Sequence, residues 1–394
     1  MTSYSSSSAF SITAALLSLI FLGTPLPALA QAPPSITIRK SDSVNISNKG
    51  ISGANGAAIN QVLSQDLKIA GYFADVDAAR ASYILSGQSA GSQLQGIIQD
   101  NRGNTILTKS YSGPVRSMAH QFADDIVETL TDHTGIATSK IAFVSNRTGQ
   151  KEIYLADYDG ANVQQLTRDK AISVAPSLSP DGKNLAYTGY QSGYADIYTV
   201  SLSNGARSRV VKFPGTNSGA AWSPDSSRIA LSVSRDGNPE LYVVGSNGRG
   251  ARRLTRTRGV ESSPTWGPGG KEIIYVSDDR GSPALYRISA SGGNGQIIPT
   301  GHSYNTEPSW SPDGQNLAFV VRSGGFSIAT KNLRTGQTST VAGSAVDPSW
   351  APNSRHLIYA SSSGSSLIIL DTKTGKTYPV ISSLGEVSEP SWAR

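Results

Sequence analysis

Apolar and polar residues across positions 137–394 repeat one pattern. Short runs that alternate at period two, as half-buried strands do, are separated by turns rich in Pro, Asp, Asn and Gly, with four runs to each period of about 44 residues. The segments Pro176-Ser-Leu-Ser-Pro-Asp-Gly182, Ala220-Ala-Trp-Ser-Pro-Asp-Ser226, Pro264-Thr-Trp-Gly-Pro-Gly-Gly270, Pro308-Ser-Trp-Ser-Pro-Asp-Gly314 and Pro348-Ser-Trp-Ala-Pro-Asn-Ser354 align without gaps. Leu178, Trp222, Trp266, Trp310, Trp350 and Trp392 share one slot, spaced 44, 44, 44, 40 and 42 residues apart, and every tryptophan of the chain lies in it. In each unit the first strand ends at a Ser-Pro-Asp-Gly turn, where Pro presets φ and Asp and Gly accept the remaining dihedrals. A second strand such as Leu185–Thr188 follows, then a third such as Asp196–Val200 and a fourth such as Gln164–Thr167. Asp159-Gly160, Asn204-Gly205, Asn247-Gly248 and Thr335-Gly336 mark the hairpin between the last two.

Four strands in 40–45 residues make a β-propeller blade. The second strand occurs six times, from Ile141, Leu185, Ile229, Ile273, Leu317 and Leu357. The first strand starts one step later and ends at Glu389-Pro-Ser-Trp392, so the first blade lacks its innermost strand and the carboxyl terminus can supply it. The chain is therefore read as mainly β: a six-bladed β-propeller closed by the C-terminal strand and preceded by a small α/β domain. An open β-solenoid would leave Pro390-Ser-Trp392 without a partner.

Residues 31–136 carry no such repeat. Ile36–Arg39 alternates like a strand, and the polar, Gly/Asn-rich stretch 41–56 reads as a loop. Ile59, Val62, Leu63 and Leu67 form one stripe of a helix over Ala57–Tyr72. Tyr83–Ser86, Leu94–Ile98 and Thr105–Thr108 make a meander, and Val115–His133 is a second helix with Met118, Phe122, Ile126, Val127 and Leu130 on its apolar face. The predicted order is β-α-β-β-β-α, with a linker at Gly135–Ser139. Residues 1–30 contain no charged side chain, hold an apolar core from Ile12 to Leu22 and end in Ala28-Leu29-Ala30. That is a cleavable export signal, although its first residues lack Lys and Arg, and the mature chain should begin at Gln31. The domains are thus 1–30, 31–136 and 137–394. No other stretch is long and apolar enough for a membrane span. The expected product is a periplasmic monomer.

Composition narrows the chemistry. The absence of Cys removes disulfides, thiolate catalysis and cysteine metal sites, and four scattered histidines (His120, His133, His302, His356) do not build one. A net charge of +6 with 38% hydrophobic residues describes a folded chain, and 40 glycines with 16% charged residues suit a turn-rich β protein. Gly87-Gln-Ser-Ala-Gly91 matches the nucleophile-elbow pattern, but a strand rather than a helix follows it. Asp157-Tyr-Asp-Gly160 is a hairpin turn rather than half a calcium loop, since no Glu follows at the required spacing. Arg249, Arg252, Arg253, Arg256 and Arg258 fall on an outermost strand and the loop after it. They read as a charged, soluble edge or a surface for an acidic partner. Nucleic acid would call for aromatic platforms or a reading helix.

Residues just before each innermost strand reach the mouth of the central channel. The repeat places there Ser173, Thr216, Asn217, Glu261, Ser262, Asn305, Thr306, Glu307, Asp347 and Glu389. Such a polar, acidic ring is either a docking surface or the turn chemistry of X-Pro steps.

In this order, export signal, small α/β domain and six blades resemble the TolB family of periplasmic Tol–Pal envelope proteins over the whole mature chain. The residues that carry the resemblance are Glu307-Pro-Ser-Trp-Ser-Pro-Asp-Gly314 in the blades and, in the amino domain, Leu67-Lys-Ile-Ala-Gly-Tyr-Phe73 followed by Ala81-Ser-Tyr-Ile-Leu-Ser-Gly87. The resemblance implies a non-enzymatic adaptor without cofactors that binds the peptidoglycan-associated lipoprotein Pal at the propeller mouth. Its role would be in outer-membrane integrity and constriction during cell division. It also implies partner contacts from the loop Phe213-Pro-Gly-Thr-Asn217 with Ser218 and Gly219, from Glu261-Ser262 and from Asn305-Thr-Glu307. Thr216 stands where relatives commonly carry His. The family's mature amino-terminal strand engages TolA; here Gln31–Ser43 is a weak match, and the polar stretch 41–56 replaces the strand that usually follows. Two other readings of the propeller remain open: a lyase or hydrolase using the channel, or a glycan-binding propeller.

Overall fold

The computed structural model describes residues 43–393. The export segment with its cleavage point after Ala30, the strand expected at Ile36–Arg39, and all of the Gln31–Ser43 arm except Ser43 lie outside the described residues.

The amino-terminal layer is a five-stranded sheet with two helices packed against it. Its strands are β1 (Val44–Gly53), β2 (Phe73–Asp75), β3 (Tyr83–Ala90), β4 (Gln93–Asp100) and β5 (Thr105–Ser112), in the spatial order β2-β1-β3-β4-β5. Helices α1 (Gly56–Ala70) and α2 (Val115–Thr131) lie side by side, with Ile59, Val62, Leu63, Leu67, Met118, Phe122, Ile126 and Val127 buried as the periodicity requires. The polar loop expected over 41–56 is instead the ten-residue strand β1, parallel to both β2 and β3. Only Ile46 and Ile51 are buried apolar side chains along it, and the register shifts between Asn48 and Ile51, which removes the alternation that would mark a strand. Backbone pairing on both sides compensates for the polar sequence. Asn60 of α1 adds two bonds to Ile51, from its N–H at 2.7 Å and to its carbonyl at 3.1 Å. The order of the described elements is β-α-β-β-β-β-α, in which β1 and β2 are both strands that the sequence pattern did not predict.

Six antiparallel four-stranded blades follow, and the C-terminal strand closes the ring. Val387–Ala393 pairs with Lys140–Ser145 in the register Val387↔Ser145 and Trp392↔Ile141, forming blade 1. The inner strands of blades 2–6 are Ser173–Leu178, Asn217–Trp222, Glu261–Trp266, Asn305–Trp310 and Ala345–Trp350. Side chains of the repeated motif join these inner strands. The hydroxyls of Thr265, Ser309, Ser349 and Ser391 accept the backbone N–H of the next blade's slot residue, at 3.3, 3.2, 3.2 and 3.0 Å to Trp310, Trp350, Trp392 and Leu178. In return, the indoles of Trp222, Trp266 and Trp350 donate to the preceding blade's Ser177, Ala221 and Ser309 carbonyls, each at 3.0 Å. Trp310 differs. Its indole turns to the Gly314 carbonyl at 3.2 Å, and a Cβ on Gly267 would stand 2.8 Å from its ring. This explains why the third aligned unit has Gly where the others carry Ser or Ala.

The two layers join at α1. Arg355 of blade 6 grips Asp371 through two bonds of 2.9 and 2.7 Å, donates to the Gly71 carbonyl at 2.7 Å and lies 4.1 Å from the centre of the Tyr72 ring. Burial pushes His356 down to about 4, so it is neutral and its Nε2–H donates to the Ile69 carbonyl at 2.9 Å. Tyr378 donates to the Lys68 carbonyl at 3.1 Å. The orphan carbonyls at the end of α1 are therefore capped by the propeller. Beneath α2, Tyr158 of blade 1 donates to Asp66 at 2.7 Å, and His120 bonds the other oxygen of the same carboxylate at 2.8 Å.

Arg355→Ala leaves the fully buried Asp371 without its cation and Gly71 without its cap. The expected loss is about 3–5 kcal/mol, measured by urea denaturation. A loss under about 1 kcal/mol would show that the pair is a surface-like contact.

Candidate functional site

Every inner strand bulges at its third residue. Ala175, Gly219, Ser263, Glu307, Asp347 and Glu389 have φ of 50, 66, 50, 51, 54 and 53°, the left-handed region that non-glycine residues rarely occupy. Proline follows five of the six, and a bulge is where a strand tolerates a residue with no N–H to give. The six bulge residues and those that follow them ring a depression of about 290 Å³ at the channel mouth.

The ring is chemically lopsided. Blades 2, 3 and 4 contribute Ala175, Gly219 and Ser263, while blades 5, 6 and 1 contribute three carboxylates. Each carboxylate accepts the N–H of the next blade's bulge residue: Asp347 to Glu307 at 2.7 Å, Glu389 to Asp347 at 2.9 Å and Ala175 to Glu389 at 2.5 Å. Burial raises the pKa of all three, and the charge of Asp347 adds to the rise at Glu307, which reaches about 8. Glu307 thus keeps its proton at neutral pH.

The mouth residues expected from the sequence divide into two groups. Thr216 is exposed, and Ser218, Gly219, Ser262, Thr306 and Glu307 are half-buried, at matching places on blades 3, 4 and 5. Ser173, Asn217, Glu261 and Asn305 are buried, so they present no surface to a partner. Asn217 donates to the Phe213 carbonyl at 2.8 Å; Asn305 donates to the His302 carbonyl at 3.0 Å and accepts from Thr300 at 2.8 Å. Glu261 accepts from Thr257 and Ser277, each at 2.7 Å, and burial together with the neighbouring Glu240 raises it to about 7. These side chains hold the rim loops from beneath. The repeat contained the signal, because Ala345 and Val387 fill the same slot and are also buried.

The remaining candidates have structural roles. Ser89 is buried within β3, and Asp157-Tyr-Asp-Gly160 is a turn in which the Gly160 N–H donates to the Asp157 carbonyl at 2.9 Å. Arg252–Arg253 is the outer strand of blade 3, with Arg253 paired to the buried Glu240 at 2.7 Å. The His302 ring packs edge-on against Phe319, 6.5 Å between centroids. At the far end of the channel the tryptophan slot surrounds a cavity of about 430 Å³, but the indoles of Trp222, Trp266, Trp350 and Trp392 are at most 7% exposed. Asp66, His120 and Asp159 lie close enough to share a cation, yet Tyr158, His120 and Arg116 already occupy these carboxylates. Among the described residues no helix is long and apolar enough to cross a membrane.

Comparison with known proteins gives consistent matches. The family model of the TolB β-propeller domain matches residues 127–394. The Tol-Pal system protein TolB of Geobacter sulfurreducens is 40% identical over 109 residues, covering 27% of this chain and 25% of that protein. Its counterpart in Syntrophotalea carbinolica is 33% identical over 195 residues, covering 41% of this chain and 39% of that protein. The alignments to the first of these relatives thus span about a quarter of their length. The crystal structure of TolB from Acinetobacter baumannii superposes with a TM-score of 0.81 at 26% identity, covering 89% of this chain and 97% of that one.

The raised carboxyls link stability to pH. Below about 4.5 the folded and unfolded chains both hold the Glu307 proton; between about 4.5 and about 8 only the folded chain does, so stability falls as pH rises through that window. Glu307→Gln should make the fall shallower in urea denaturation at about pH 5 and pH 8. An unchanged slope would mean that Glu307 is already ionised at neutral pH.

Proposed function

The chain belongs to the TolB β-propeller family, and from that membership we propose that it is a non-enzymatic adaptor of the Tol–Pal envelope system. It acts in the periplasm after removal of residues 1–30. The propeller mouth binds the lipoprotein Pal, and the Gln31–Ser43 arm provides the contact to TolA. Together they tie the outer membrane to the inner-membrane machinery and support envelope integrity and constriction at division.

The observation that carries this reading is the rim on blades 3, 4 and 5. Thr216, Ser218, Ser262 and Thr306 reach solvent, while the buried Asn217, Glu261 and Asn305 fix the backbone beneath them. A rim of short polar side chains on a rigid support loses little conformational entropy on docking, which suits a protein partner. The enzymatic reading lacks such support: the mouth carboxylates are engaged by backbone N–H groups, and His302 packs on Phe319. Mutual influence between arm and mouth follows if each occupied state favours the same arrangement of the two layers.

Calorimetric titration of the chain from Gln31 with the soluble domain of Pal should give saturable one-to-one binding. Thr216→Arg and Ser262→Arg should each weaken it by roughly tenfold or more, because a long charged side chain cannot be accommodated in a close-packed interface core. Unchanged affinity in both variants would remove the mouth as the docking site.

A further inference from the structure

Blade 3 provides an internal template for a feature of blade 4. In blade 3 the hydroxyl of Tyr242 donates to the Asp236 carboxylate, which Arg253 and Arg235 also approach, at 3.3 and 3.5 Å. The two blades share one register: Leu231 faces Tyr242 as Tyr275 faces Tyr286. At the positions of Tyr242, Asp236, Arg235 and Arg253, blade 4 carries Tyr286, Arg280, Asp279 and Ile297. The tyrosine is kept and its carboxylate is replaced by a cation. The Tyr286 hydroxyl is consequently buried without a hydrogen-bond partner, a rare condition for a polar group.

A cavity of about 470 Å³ opens at this point, lined by Tyr286, Arg280, Arg256, Thr257 and Ser277, and no inner-strand residue reaches it. Its free donors can be counted. Thr257 and Ser277 already give their hydroxyls to Glu261, and Asp279 accepts the Arg258 N–H at 3.0 Å. The exposed guanidiniums of Arg256 and Arg280 have no ion pair among the described residues. What remains is the buried Tyr286 hydroxyl and two guanidiniums, with the Tyr275 hydroxyl and the Asn294 amide as further donors on the lining. We propose that this cavity is a carboxylate-binding site, in which a ligand carboxylate takes the place that Asp236 holds in blade 3, accepting from the Tyr286 hydroxyl and from Arg256 and Arg280. Planar guanidiniums pair with carboxylates through charge-assisted bonds, so a small carboxylate or an acidic peptide side chain fits the same donors.

The test is a thermal-shift titration of the folded chain with citrate and, separately, with a hexaglutamate peptide, with ionic strength matched by sodium chloride. At least one probe should stabilise the protein saturably. Arg280→Asp rebuilds the blade 3 arrangement internally; it should raise the melting temperature of the free protein and abolish the response. Arg256→Ala should weaken the response roughly tenfold. Tyr286→Phe should weaken it without lowering the melting temperature, because the hydroxyl it removes has no partner, whereas Tyr242→Phe should lower the melting temperature. Response to the peptide alone would identify a protein-borne carboxylate, and response to citrate alone a free one. No saturable response to either probe, or an Arg280→Asp or Arg256→Ala variant that responds like the parent, overturns the proposal.

Discussion

Adjacent blades of this propeller share no backbone ladder. Within a blade, N–H and C=O groups satisfy one another across four strands; between blades there are single backbone bonds, such as Ser173 N–H to the Lys151 carbonyl and Val387 N–H to the Gly364 carbonyl, each at 2.8 Å, and the inner strands themselves are joined through side chains. The Pro-Ser-Trp motif answers that constraint. Its serine accepts a backbone N–H from the blade after it, and on three blades its tryptophan donates to a carbonyl of the blade before it, while Trp310 and Trp392 donate to Gly314 and Ser139. The set is complete only when the last copy meets the first. Ser391 closes it by accepting from the Leu178 N–H at 3.0 Å. Closure by the C-terminal strand is therefore required by the inter-blade contacts as well as by the edge of blade 1.

The same constraint forms the mouth. A strand that carries proline must bulge, and the bulge frees an N–H that something on the neighbouring blade has to accept. On three blades that acceptor is a carboxylate placed at the bulge itself, which explains why acidic side chains occupy left-handed backbone at the channel opening. The strained backbone and the buried carboxyls belong to one arrangement. The amino-terminal layer meets the ring on the same side of the circle. Arg355, His356 and Tyr378 on blade 6 cap α1, and Tyr158 on blade 1 bonds Asp66 while stacking on Trp392 of the closing strand, 6.5 Å between ring centres. The seam where the ring closes and the joint to the α/β layer fall on blades 6 and 1, which with blade 5 also carry the acidic half of the mouth.

The propeller was legible because its period is written in residues that the ring geometry demands. Tryptophan spacing, the Ser-Pro-Asp-Gly turns and the offset between first and second strands together imply six blades and the closing strand. Strand β1 was not legible, because its burial is supplied by pairing on both edges and its bulge interrupts the alternation. At the mouth, sequence position located the rim but could not separate its two layers. Asn217, Glu261 and Asn305 look like surface residues by type, and only the loops folding over them make them interior. Thr216 and Ser262, one residue away in either direction, are the ones that solvent reaches.

Six blades are six solutions to one packing problem, so a slot filled alike in all of them reports the demands of the ring. The tryptophan slot is close to such a position, with tryptophan in five blades and Leu178 in the sixth, and it is buried in five of the six. The bulge slot holds Ala, Gly, Ser, Glu, Asp and Glu under one backbone conformation, so the ring fixes its φ and leaves its chemistry free. The end of the channel where nearly the same residue recurs is therefore the structural end. At the opposite end the blades present five kinds of residue on the same scaffold, and on blades 5, 6 and 1 that residue also accepts the next blade's bulge N–H.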